Sequence, residues 1–155
     1  MTSTPARSTA RTDGGMTLHI ANSELSLYHV FIRDLEVRAT IGVYEDERAA
    51  DQRVRVNIDL AVAEGPAARS TLPQSANYDC LDNVVDYGAI AARIRILVME
   101  GRSRLLETLA ARIADTCLED VRVYSARVRV EKPDVFTDAE SAGIEIERHR
   151  RHIRV

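Results

Sequence analysis

The chain has 155 residues, 45% of them hydrophobic, and a formal net charge of -3. That suits one domain with a buried core and argues against nucleic acid as a partner, because a nucleic-acid-binding domain is normally basic. Trp is absent, so the core must come mostly from Val, Ile, Leu and Ala, and no stretch approaches the roughly 20 apolar residues of a membrane span. Cys80 and Cys117 have no CxxC spacing and read as unpaired thiols of a reducing compartment, which places the protein in the cytoplasm.

Residues 1–24 are rich in Ser, Thr, Ala, Gly and Arg without an apolar h-region. They read as a disordered tail and not as a secretory signal, with the folded domain over 25–149. Tyr28 to Ile41 reads as a long strand with one change of phase. Val30 and Ile32 share one parity, whereas Leu35, Val37, Ala39 and Ile41 share the other. A one-residue slip turns every side chain over, so a bulge is predicted near Asp34. Gly42 ends this strand, and Glu45, Asp46 and Glu47 read as a solvated turn. From Arg53 to Val62 the alternation is strict, with Val54, Val56, Ile58, Leu60 and Val62 on one face; this strand has one buried and one wet face. The short separation predicts an antiparallel pair.

Gly65 to Asn83 reads as a long connection with a short helical turn at Pro66 to Arg69. Asp86 is placed to cap a helix carrying Ile90, Ala91, Ile94, Leu97 and Val98 on one stripe, ended by Gly101. Ser103 is placed to cap a second, with Leu105, Leu106, Leu109, Ala110, Ile113, Ala114 and Cys117 on its apolar face. The chain returns to strand over Val121 to Lys132, which Pro133 stops, and again over Gly143 to Arg148. The basic tail Arg148 to Val155, with residues 150–155 beyond the folded domain, reads as solvated. The order β-β-α-α-β-β segregates strands from helices and predicts an α+β fold: a four-stranded antiparallel sheet with two helices on one face. The other face would display Arg and Glu.

The chain has no GxGxxG, P-loop or GxSxG motif. His19, His29, His149 and His152 offer neither a third metal ligand nor a well-placed triad base. Lys132 shares the parity of Val128 and Val130 and so points to the apolar side, where lysine is rare. It either snorkels at the sheet edge or acts as a tunable amine in proton transfer. Glu107 follows Leu106 near the start of the second helix, where the dipole favours a carboxylate; exposure alone would also account for it. Tyr87 opens the first helix, where a phenol can pack or project across an interface.

Taken together, Ile41-Gly42-Val43-Tyr44-Glu45-Asp46-Glu47, then Gln52, Asp86-Tyr87-Gly88, Leu105-Leu106-Glu107-Thr108-Leu109-Ala110, Lys132-Pro133 and Gly143 resemble dihydroneopterin aldolase from Val30 to Arg148. The resemblance implies the tunnelling fold (T-fold), with four subunits closing a ring and two rings stacking into an octamer, so a homo-oligomer with its sites at subunit interfaces. It implies that Glu107 binds the pterin ring beside the Leu106 backbone. Tyr87 would come from the adjacent subunit, Lys132 would handle protons, and Glu47 would support Lys132 and the substrate tail. It implies retro-aldol cleavage of 7,8-dihydroneopterin in folate biosynthesis, with no cofactor and no metal. A dihydroneopterin (triphosphate) epimerase and a catalytically silent pterin-binding ring protein are the alternatives. Three stretches depart from the family's pattern: Thr71 to Asn83 is longer than usual, the loop after Pro133 is more acidic, and the long N-terminal tail is extra.

Overall fold

A computed structural model describes residues 20–65 and 80–150. Four strands form one antiparallel sheet in the order β1-β2-β3-β4: β1 Leu27–Ala39, β2 Gln52–Ala63, β3 Val123–Lys132 and β4 Ala142–His149. Between β1 and β2 lies a single helical turn, α1 Glu45–Arg48. Between β2 and β3 come α2 Tyr87–Met99 and α3 Leu106–Leu118. Helix α2 lies over β1, and α3 over β3 and β4. This is the β-β-α-α-β-β arrangement of the T-fold.

The alternation of β2 places Val54, Val56, Ile58, Leu60 and Val62 under the helices, all at most 1% exposed. From above, Ile90, Ile94 and Val98 of α2 and Leu109, Ala110, Ile113, Ala114 and Cys117 of α3 close the core. Truncating a fully buried member such as Ile113 to Ala would destabilise the fold by about 2–5 kcal/mol. The bulge in β1 falls where the phase change predicts it. Ile32 pairs with Ile58 and Leu35 with Val56, so two residues of β1 oppose Asn57. Asp34 takes a positive φ of 51° there, and the Asn57 side chain accepts its N–H at 2.8 Å. A second irregularity, between Ala61 and Val62 of β2 against β3, leaves no mark in the hydrophobic pattern.

The uncovered face carries Arg and acidic residues in cross-strand register, among them Arg127 with Glu147 at 3.3 Å and Arg55 with Glu36 at 3.6 Å. Among the described residues, no helix is long and apolar enough to cross a membrane.

Four expectations need correction. The segment 45–47 is not a plain turn but the body of α1. Ser103 does not cap α3: the N-cap position is Leu105, without a side-chain cap, and Ser103 is buried, accepting a hydrogen bond from Arg112 at 3.2 Å. Order begins before residue 25, because Asn22 exchanges backbone hydrogen bonds with Leu27 at 2.8 and 2.9 Å. The residues after Arg148 are not all solvated. Arg150 donates from Nε to the Val123 carbonyl at 3.1 Å and from Nη2 to the carbonyls of Leu118 and Asp120, closing the C-terminal end of α3. The helical turn expected at 66–69 lies outside the described residues.

Candidate active site

Four chain segments converge at the end of the sheet where β1 and β3 finish and β4 and α3 begin. They line a cleft of about 320 Å³ that includes Tyr44, Glu47, Leu106, Glu107, Lys132 and Phe136.

Lys132 reaches this cleft because it occupies the helix-side parity at the last position of β3, beyond the point where α3 covers the sheet. It is 8% exposed. A buried ammonium needs a partner, and Glu47 supplies it: Lys132 Nζ donates to Glu47 Oε1 at 2.8 Å. The other carboxylate oxygen, Oε2, accepts the N–H groups of Val43 at 3.0 Å and Tyr44 at 3.3 Å. Both oxygens are thus committed, and the carboxylate is fixed in position and ionised. The hydrogen bond from Lys132 and then that from Tyr44 hold the Glu47 carboxyl below its ordinary value, against the smaller opposing effect of desolvation.

This arrangement explains α1 and Gly42. Turning the chain through one helical turn brings Glu47 back over residues 42–44. A Cβ on Gly42 would lie 2.5 Å from the Glu47 side chain, and Gly42 has a φ of +152°, so glycine is required twice over. Gln52, the first residue of β2, holds the turn shut. Its Nε2 donates to the carbonyl of Glu47 at 2.8 Å and to that of Ile41. Gln52 belongs to the sequence motif, but neither burial parity nor spacing reveals that its one amide spans both ends of the loop.

Glu107 stands in the first turn of α3 with its side chain exposed toward the cleft. With no side-chain cap on α3, the helix end beside Leu106 and Glu107 presents backbone N–H groups next to a carboxylate acceptor. Val135 and Phe136, 39% and 57% exposed, form an apolar side of the same cleft. Tyr87 is not brought there: at the start of α2 it is 66% exposed and absent from the lining. Asp86, just before it, accepts the Ala89 N–H at 2.9 Å and caps α2 as the sequence predicts. Among the described residues, no group of three His, Cys, Asp or Glu side chains is placed to hold a metal ion.

The cleft therefore joins a buried, paired lysine with an exposed carboxylate and an apolar side. Known proteins share this chain's pattern. The family model for FolB, dihydroneopterin aldolase, matches residues 30–147. A dihydroneopterin aldolase of Streptomyces coelicolor is 38% identical over 106 residues, covering 68% of this chain and 82% of that protein. A dihydroneopterin triphosphate 2'-epimerase of Pseudomonas aeruginosa is 30% identical over 127 residues, covering 82% and 97%. The crystal structure of Escherichia coli dihydroneopterin aldolase in complex with neopterin superposes with a TM-score of 0.67 at 30% identity, covering 78% of this chain and 98% of that one. The chain belongs to the dihydroneopterin aldolase (FolB) family.

Proposed function

We propose that the protein is an aldolase that cleaves 7,8-dihydroneopterin into 6-hydroxymethyl-7,8-dihydropterin and glycolaldehyde. The observation that carries this reading is the Lys132–Glu47 pair at 2.8 Å, set in the cleft that also holds Glu107. Glu107 accepts two parallel hydrogen bonds from the N–H groups of the 2-amino-4-oxo pyrimidine edge, alongside the N–H end of α3 at Leu106. The ring then lies against Val135 and Phe136. The side chain of the substrate extends toward Lys132, which exchanges protons with it through a water, while Glu47 holds the ammonium in place. The 2'-hydroxyl proton passes through that water into the Lys132–Glu47 pair, the C1'–C2' bond breaks to leave C2' as the aldehyde carbon, and the electron pair of C1' moves into the ring C6=N5 imine to give an enamine. Glycolaldehyde leaves, and a proton delivered to C1' restores the imine. The substrate provides its own electron sink.

Tyr87 completes the site from a neighbouring subunit in this reading; its exposure away from its own chain's cleft supports that. A ring of four subunits, stacked in pairs as an octamer in the cytoplasm, follows from the same reading, and the solution mass tests it. A second reading, epimerisation of the side chain, is favoured by the Pseudomonas aeruginosa relative. Incubation of the purified chain with 7,8-dihydroneopterin and chromatographic separation of products decides between them. Hydroxymethyldihydropterin with glycolaldehyde supports the aldolase, the side-chain epimer alone supports the epimerase, and saturable binding without product refutes both.

A further inference from the structure

Adjacent residues of a strand point to opposite faces, and β2 begins with two that tie down the cleft from both sides. Gln52 holds the loop carrying Glu47. Arg53, one residue on, emerges on the uncovered face and reaches the loop between β3 and β4. Its Nε donates to Asp134 Oδ2 at 2.9 Å and its Nη2 to Oδ1 at 2.6 Å. This is a bidentate guanidinium–carboxylate pair between residues 81 positions apart. Glu36 approaches the same guanidinium at 3.7 Å. At the far end of the loop, Ser141 Oγ donates to the buried Glu131 at 2.6 Å. The loop is thus fastened near both ends, and the two residues next to Asp134 are Val135 and Phe136, the apolar side of the cleft.

We infer that Arg53 and Asp134 are positioning residues, a clamp that sets Val135 and Phe136 against the pterin ring and so tunes ring affinity without entering the proton transfer. This role rests on the pterin reading above. It also explains the acidic residue at the head of the loop, since Asp134 anchors the loop and takes no part in repelling substrate. The pair is about half exposed, with side chains 40% and 54% accessible. Its direct effect on stability is therefore small, and its effect on binding comes through the order it gives the wall.

The test uses Asp134→Asn, Arg53→Met and the double variant, with 7,8-dihydroneopterin as substrate and neopterin as fluorescent ligand. Each single change should raise KM and the neopterin Kd by about 2- to 5-fold, the range of a half-exposed ion pair, while kcat stays within about two-fold. The double variant should be no worse than either single one, because both remove the same interaction. Hydrogen exchange of the unliganded variants should quicken across residues 133–141 and nowhere else. Unchanged KM and Kd, additive effects, or a fall in kcat at constant KM would each overturn the inference. Failure of the pterin reading looks different: the wild type itself then neither binds neopterin nor turns over substrate, which removes the ring from the clamp's role as well.

Discussion

Replacing Lys132 with Met removes the ammonium while keeping most of the buried stem, so it isolates the charge. Lys132 is 8% exposed, and Nζ donates to Glu47 at 2.8 Å. After substitution, Glu47 retains the N–H groups of Val43 and Tyr44 on Oε2 but loses its cation. Its side chain is 26% accessible, so water covers part of the loss and the fold is destabilised by only about 1 kcal/mol. Turnover should suffer far more. A positioned proton-transfer group contributes about 10²- to 10⁴-fold, equivalent to about 3–5 kcal/mol on the barrier. Steady-state kinetics with 7,8-dihydroneopterin measures this, and neopterin fluorescence measures binding, which should move less than about three-fold because Glu107 is untouched. A kcat within about two-fold of wild type would refute the assignment of Lys132. A loss of neopterin binding as large as the loss of kcat would make the residue part of the ring site instead.

Three further outcomes are expected. Glu107→Ala removes the acceptor proposed for the pyrimidine edge and should weaken neopterin binding by at least about 100-fold; calorimetry showing wild-type affinity would contradict it. Gln52→Ala frees both carbonyls that close the 41–47 loop, so kcat should fall about 10-fold with KM little changed, and Gln52→Glu should not rescue it because its carboxylate cannot donate. The acid dependence of stability reports the Glu47 pairing directly. The Glu47 carboxyl is held below its ordinary value of 4.5, first by the hydrogen bond from Lys132. Its stabilisation is therefore fully present above about pH 4.5 and lost as pH falls through the depressed value. The stability gap between wild type and Lys132→Met should accordingly narrow as unfolding is followed from about pH 6 to about pH 3. Asp120, paired with Arg122, titrates alike in both proteins and cancels. A gap that widens toward low pH would show that Glu47 is not the partner.

The sheet and the two long helices were legible because their signals are local. Strict alternation marks β2, the phase change at Asp34 marks the β1 bulge, and Asp86 caps α2 through its own side chain. Lys132 was legible for the same reason: its parity alone placed it on the apolar side. What the pattern did not carry depends on contacts between distant segments. The α1 turn has no apolar stripe and exists because Glu47 closes back onto residues 42–44 and Gln52 ties its ends. Ser103 has the chemistry of a helix cap but is held by Arg112, two turns along α3, so the helix starts later. Arg150 looks like part of a basic tail until its guanidinium meets the carbonyls at the end of α3. The bidentate contact of Arg53 with Asp134 spans the whole helical region and has no counterpart in local spacing.

Breaking the C1'–C2' bond with the electron pair passing into the ring requires that a solvent-derived proton return to C1'. Turnover of 7,8-dihydroneopterin in D2O, with products analysed by mass spectrometry, reads out that proton and the cleavage together. The expected products are one equivalent of glycolaldehyde and 6-hydroxymethyl-7,8-dihydropterin carrying deuterium at the hydroxymethyl carbon. Recovery of uncleaved substrate or its epimer alone, or a cleaved product without deuterium at that carbon, would show that the proposed reaction is wrong.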